Sequence, residues 1–308
     1  MPVILLSFLA GLGALWSGIR LLPLGLETLG QTRIRYALTR FTATPCLGLL
    51  TGTLVTALVQ SSSAVTVIAV GLTGRGLMSL SQGIGIVLGA NIGTTMTGHI
   101  LAFDLTRFSP WLVGLGLLGW CLPHRKSKAW GQVLLGLGFI FSGLHLMEQA
   151  FSPWQHSAGL QGWLVLIGRN YFLALLSGIV ITSILQSSSV VTGLTMVLGE
   201  KGFLSLAGAV AVMLGSNLGT CVTAVLAAIT GSTEARRLAL AHFMLNAGGI
   251  LLFFPLIDVY AHLLTFTAKE LPRQIANAHT IYNIICSLMV LPFVDRFAWL
   301  IRRLLPAN

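Results

Sequence analysis

Two short stretches each set four consecutive polar side chains within an apolar run. Gln60-Ser61-Ser62-Ser63 sits inside VTALVQSSSAVTVIAV, and Gln186-Ser187-Ser188-Ser189 sits inside ITSILQSSSVVTGLTM, 126 positions later. Hydroxyls beside an amide, with no acid or base among them, suit the binding of an oxyanion: each serine donates a hydrogen bond and glutamine both donates and accepts. A catalytic serine would need a base within reach, often on a G-x-S-x-G elbow. The chain has no such elbow, and no His or Asp takes a convincing partner position, so neither an enzyme nor a cofactor is expected.

A second pair of stretches, GANIGTT and GSNLGTC, follows each quartet. Gly93 and Gly219 predict local unwinding of a membrane helix, which would free carbonyls beside Asn91, Thr94, Asn217 and Thr220. Neutral oxygens of this kind coordinate a small hard cation, and broken helices at equivalent positions are how secondary transporters hold ions near the midplane. His242, Asn246, Asn277, His279 and Asn283 are further polar residues in apolar surroundings. A lone membrane histidine more often satisfies an interhelical hydrogen bond than relays a proton.

These side chains need elements to position them, and composition says which. Of 308 residues 55% are hydrophobic and 8% are charged, against about 25% charged in a soluble domain. Apolar segments of roughly 20 residues, without ten-residue alternating strands, indicate an all-α integral membrane protein. The net charge of +10 falls as short clusters between apolar segments, which reads as topology and contact with anionic lipid rather than nucleic-acid binding. Cys46, Cys121, Cys221 and Cys286 show no paired spacing, so no metal site or disulfide framework is expected. The N-terminal apolar segment has no basic residue before Arg20 and reads as a mature helix, not a signal peptide.

Placing Leu49–Thr97 over Leu175–Thr223 without a gap gives 20 identities, and GLGALWSGIRLL from Gly11 matches GLGFIFSGLHLM from Gly136 at an offset of 125. Repeats of 1–124 and 125–258 follow, with an additional C-terminal helix and short tail over 259–308. Within each repeat a short apolar hairpin, about 45–73 and about 171–198, has arms too short to cross a ~30 Å hydrocarbon core. Each is expected to be re-entrant, with its quartet at the tip and the second arm's N-terminus turned inward as an anion site. Crossings at 78–103, 109–123, 129–148, 203–230, 236–257 and 274–294, after the first helix, make seven and put every Lys/Arg cluster on one side. That count inverts the second repeat relative to the first. Across Pro45–Gly98 there is no Asp or Glu, and across Ala174–Thr223 only Glu200, so the expected site holds no acidic side chain.

The duplicated quartets with GANIGTT and GSNLGTC, then LALAHFMLNAGGILLFFPL and IANAHTIYN, resemble the type II sodium/phosphate cotransporter family, particularly its bacterial members. The resemblance implies inverted-topology repeats in the cytoplasmic membrane, phosphate held where the two hairpins meet, and sodium as coupling ion. By position it assigns phosphate to Ser61, Ser62, Ser63, Ser187, Ser188 and Ser189. Gln60, Gln186, Asn91, Thr94, Asn217 and Thr220 are expected to hold or brace sodium. Many bacterial members continue into a helical domain similar to the phosphate regulator PhoU, whereas this chain ends at Asn308, soon after its last helix. The alternatives in view are a different oxyanion, net export, and a non-transporting phosphate sensor. A homo-oligomer is compatible with all of them.

Overall fold

The computed structural model describes residues 2–103, 105–151 and 170–306. Among these there are helices and turns and no strand. Helix α1 (Pro2–Arg40) leads into a hairpin of α2 (Pro45–Val59) and α3 (Ser62–Gly74), followed by α4 (Leu80–Leu101), α5 (Ser109–Cys121) and α6 (Arg125–Phe151). A second hairpin, α7 (Tyr171–Leu185) and α8 (Ser188–Glu200), precedes α9 (Leu206–Gly219) and α10 (Cys221–Ala228). The chain ends through α11 (Thr233–Phe253), α12 (Ile257–Leu264), α13 (Leu271–Val290) and α14 (Val294–Leu304), with 3₁₀ turns joining α11 to α12 and α13 to α14.

The internal duplication is drawn in the backbone residue for residue. Adding 126 to the bounds of α2 and α3 gives the bounds of α7 and α8, and both first arms end on a left-handed glutamine, Gln60 at φ 59° and Gln186 at φ 55°. Ser61 and Ser187 then cap the second arms, accepting from the N–H of Ala64 at 3.2 Å and Val190 at 3.4 Å. A 15-residue first arm rises about 22 Å, less than the hydrocarbon thickness, so the hairpins have the short-arm form the apolar pattern predicts.

Glycine sets how closely these hairpins dock. A Cβ on Gly89 of α4 would stand 2.0 Å from the carbonyl oxygen of Leu49, and one on Gly215 of α9 would stand 1.9 Å from that of Leu175, the residue equivalent to Leu49. Gly93 and Gly219 do the same one turn later, against Thr53 and Thr56 in the first half and Ile179 and Thr182 in the second. This changes the reading of GANIGTT. Helix α4 runs unbroken from Leu80 to Leu101, because Gly93 admits the neighbouring arm rather than loosening its own helix. The expected break appears only in the second half, as a one-residue interruption at Thr220 between α9 and α10.

Among the described residues six helical stretches are long and apolar enough to cross a membrane: Leu5–Gly30, Leu80–Leu101, Arg125–Ala150, Leu206–Ala228, Thr233–Leu264 and Leu271–Leu304. The chain is a multi-pass helical membrane protein. The crossing expected at 109–123 is α5, whose 13 residues rise about 20 Å and follow a 3₁₀ turn at Thr106–Phe108, short of the usual ~20-residue span. Helices α1 and α6 pack antiparallel along a seam of glycines. Gly11 lies against Gly143 and Met147, Gly18 against Gly136 and Ile140, and Gly25 against Ala129 and Val133.

Candidate functional site

Both quartets face one cavity of about 330 Å³. Its wall holds Gln60, Ser61, Ser62 and Ser63 from the first hairpin, Gln186, Ser187, Ser188 and Ser189 from the second, and Thr94 from α4. Residues some 126 positions apart are thus neighbours across a single space. The left-handed glutamine is what turns each hairpin tightly enough to present the following serines. Its own N–H closes the first arm on Thr56 or Thr182, and its side-chain amide donates back to the carbonyl of Ala57 or, at 2.8 Å, Ser183.

The second arms present unpaired donors. In α3 the N–H of Ala64 is taken by the Ser61 hydroxyl oxygen and that of Val65 bonds the Ser61 carbonyl at 3.3 Å. The N–H groups of Ser62 and Ser63 come before any intrahelical acceptor, and those of Ser188 and Ser189 occupy the same positions in α8. Two 13-residue helices therefore aim their positive ends and four main-chain donors at one space, which can hold an anion. Ser61 and Ser187 accept a capping bond with oxygen, and each keeps its hydroxyl hydrogen to donate.

The glutamine carbonyls are held by partners the motif reading did not single out. Thr97 Oγ1 donates to Gln60 Oε1 at 2.9 Å, and Thr223 Oγ1 donates to Gln186 Oε1 at 2.8 Å. Thr97 and Thr223 are one of the 126-offset identities, so their pairing was visible in the alignment, though not their role. The other polar candidates divide. Thr94 lines the cavity, with its hydroxyl on the carbonyl of Ala90 at 2.8 Å. Asn91, Asn217 and Thr220 are not in the lining: Asn91 donates to Asn246 Oδ1 at 3.3 Å, Asn217 Oδ1 meets His279 Nε2 at 2.9 Å, and the Thr220 hydroxyl bonds the Asn217 carbonyl at 2.6 Å.

The remaining wall comes from α1, outside the aligned core of the repeats. Ile19, Arg20, Pro23, Leu24 and Glu27 face the same cavity. Arg20 and Glu27 are seven positions apart, two turns along one helix face, and the Arg20 guanidinium stacks on Trp16 at 4.2 Å from the ring centroid. An acid in this wall corrects the expectation of a site without one. That expectation came from the hairpins and following helices alone, and the missing element is α1. Pro23, between the two, lacks the N–H that would bond the Ile19 carbonyl, so a main-chain acceptor is also freed on this face.

A profile of the Na+/Pi-cotransporter family matches residues 14–149 and 155–277. The chain belongs to that family. It is 34% identical over 255 residues to YqeW of Bacillus subtilis strain 168, covering 83% of each chain. It is 32% identical over 269 residues to YjbB of Escherichia coli strain K12, a protein provisionally named for inorganic phosphate export, and spans about half of it, 49%. A 97-residue stretch, 30% of this chain and 15% of the relative, is 42% identical to human sodium-dependent phosphate transport protein 2C. No solved structure matches the chain.

Proposed function

We propose that this protein is a secondary transporter of the cytoplasmic membrane that moves inorganic phosphate together with sodium ions. The observation that carries the reading is the meeting of the two quartets: four first-turn N–H groups and six serine hydroxyls converge on a cavity of about 330 Å³, beside Arg20. Such a wall supplies fixed donors to a tetrahedral oxyanion without an acidic side chain in either quartet, and the guanidinium matches its geometry. Gln60 and Gln186, steadied by Thr97 and Thr223, fix the aim of the donors. Family membership and the names of two relatives support phosphate as the oxyanion and sodium as its coupling ion.

The two halves are read as inverted in the bilayer. What supports this is the α1–α6 seam. By the 125 offset Gly11 is equivalent to Gly136 and Gly18 to Gly143, and across the seam Gly11 meets Gly143 while Gly18 meets Gly136. Equivalent helices that meet antiparallel, each using the same glycines, are related by a two-fold axis, the arrangement that lets a carrier expose one site to either side in turn.

The test is phosphate flux into liposomes containing the purified protein. An inward sodium gradient should drive accumulation, and potassium in its place should not. Occupancy without accumulation would make the protein a sensor instead. The relative named for export favours net outward movement as a second reading, and phosphate release from loaded vesicles under a reversed gradient measures it.

A further inference from the structure

We propose that Glu27 is the acid that couples the cation to the anion in this cavity, a role that rests on the phosphate reading above. The carboxylate and both serine quartets line the same space of about 330 Å³, whose other ionisable side chain among the described residues is Arg20. Among the described residues Glu27 forms no ion pair: the three salt bridges are Lys201–Glu148, Arg237–Glu234 and Arg273–Glu270. It is half-buried within the apolar stretch Leu5–Gly30, where an acid is costly to keep and marks an ion or proton path unless it is structurally paired.

The coupling follows from like charge. A phosphate dianion entering this cavity meets an ionised carboxylate in the same low-dielectric wall, and each disfavours the other. A monovalent cation at Glu27, sodium or a proton, removes the repulsion. Binding linkage makes the effect reciprocal: the cation raises phosphate affinity by the factor with which phosphate raises cation affinity. Arg20 and Glu27 thereby divide the labour on one helix face, the guanidinium toward the oxyanion and the carboxylate toward its companion. The Ile19 carbonyl freed by Pro23 adds a neutral oxygen to the wall.

Equilibrium binding of radiolabelled inorganic phosphate to the purified protein tests the assignment. It is measured in sodium chloride, and in choline chloride at pH 6 and pH 8, for wild type, Glu27→Gln and Glu27→Asp. Wild type should bind phosphate about tenfold more tightly with its cation than without it, a typical coupling factor. Tightening by sodium at fixed pH names sodium, and tightening by acid in choline that is lost in Glu27→Gln names the proton, since phosphate's own protonation between pH 6 and pH 8 acts on both proteins alike. Glu27→Gln, neutral and close in shape, should bind at each pH at the tight level with or without sodium, with its cation dependence nearly gone. Glu27→Asp should keep the dependence with its cation midpoint moved by a few-fold, and it stands as the test if the glutamine variant does not fold. A wild-type cation dependence in Glu27→Gln, or an unmoved midpoint in Glu27→Asp, overturns the role of Glu27. Absence of phosphate binding to wild type in every buffer would instead overturn the reading of the cavity itself.

Discussion

Replacing Gly215 with alanine tests whether close docking of the hairpin sets the geometry of the site. The added Cβ would lie 1.9 Å from the Leu175 carbonyl oxygen and 3.0 Å from the Ile179 nitrogen, both main-chain atoms that cannot swing aside. Ordinary contact begins at 3.4 Å, so α9 and α7 must part by about 1.5 Å at this level. Alanine in a helix gains about 0.5–1 kcal/mol over glycine, whereas overpacking of this kind costs about 1–3 kcal/mol, so the net sign is destabilising. The same separation strains the 2.8 Å bond between Thr223 and Gln186, because Gln186 ends α7 and Thr223 lies two turns past Gly215. Gly248→Ala on α11 is the control, since its Cβ would meet nothing within 4 Å and should leave stability equal or slightly raised. Thermal unfolding in detergent and phosphate affinity are the readouts: Gly215→Ala should lower both, and Gly89→Ala should behave alike. A Gly215→Ala protein as stable and as tightly binding as Gly248→Ala would refute the docking argument.

Three further outcomes are expected. Ser62→Ala and Ser188→Ala should each weaken phosphate binding roughly ten- to a hundredfold while the protein still inserts, since a hydrogen bond to a charged group contributes about 1.5–3 kcal/mol. Thr97→Val and Thr223→Val leave a glutamine carbonyl without its donor, and binding isotherms should show a milder loss of roughly two- to tenfold for each. Single cysteines at Ser79 and Ser205, equivalent exposed positions at the starts of α4 and α9, in a background without the four native cysteines, should react with an impermeant reagent from opposite sides of oriented vesicles. Same-side labelling would remove the inverted arrangement.

What the sequence disclosed and what it hid divide along the repeat. Hairpin bounds read from apolar runs, 45–73 and 171–198, lie within two residues of Pro45–Gly74 and Tyr171–Glu200, because arm length and a polar tip are local properties. The convergence of the quartets was expected from the family resemblance rather than from the residues alone. The unbroken α4 was not. Glycine in a membrane helix signals either unwinding or close approach, and only the neighbouring arm decides between them. Residues 152–169, within the second repeat, lie outside the described residues. Arg20 and Glu27 escaped notice because nothing in an amphipathic period says which neighbour a helix face will meet.

That omission changes the account of charge. Two matching sodium places at GANIGTT and GSNLGTC were expected from symmetry, yet Thr94 faces the cavity and Thr220 does not, while Asn91 and Asn217 turn to the unlike partners Asn246 and His279. The backbone is duplicated, but the ionisable wall is not, because α1 contributes it once. Within that wall Arg20 and Glu27 cancel, and the N-termini of α3 and α8 contribute about half a positive charge each. A bound phosphate dianion then leaves roughly one negative charge in the wall to offset. In the role proposed for Glu27, a cation there would supply that charge at the place in the wall where an anion is otherwise repelled. The duplication of the hairpins does not extend to the charged wall, because Arg20 and Glu27 of α1 have no counterpart in it from the second half.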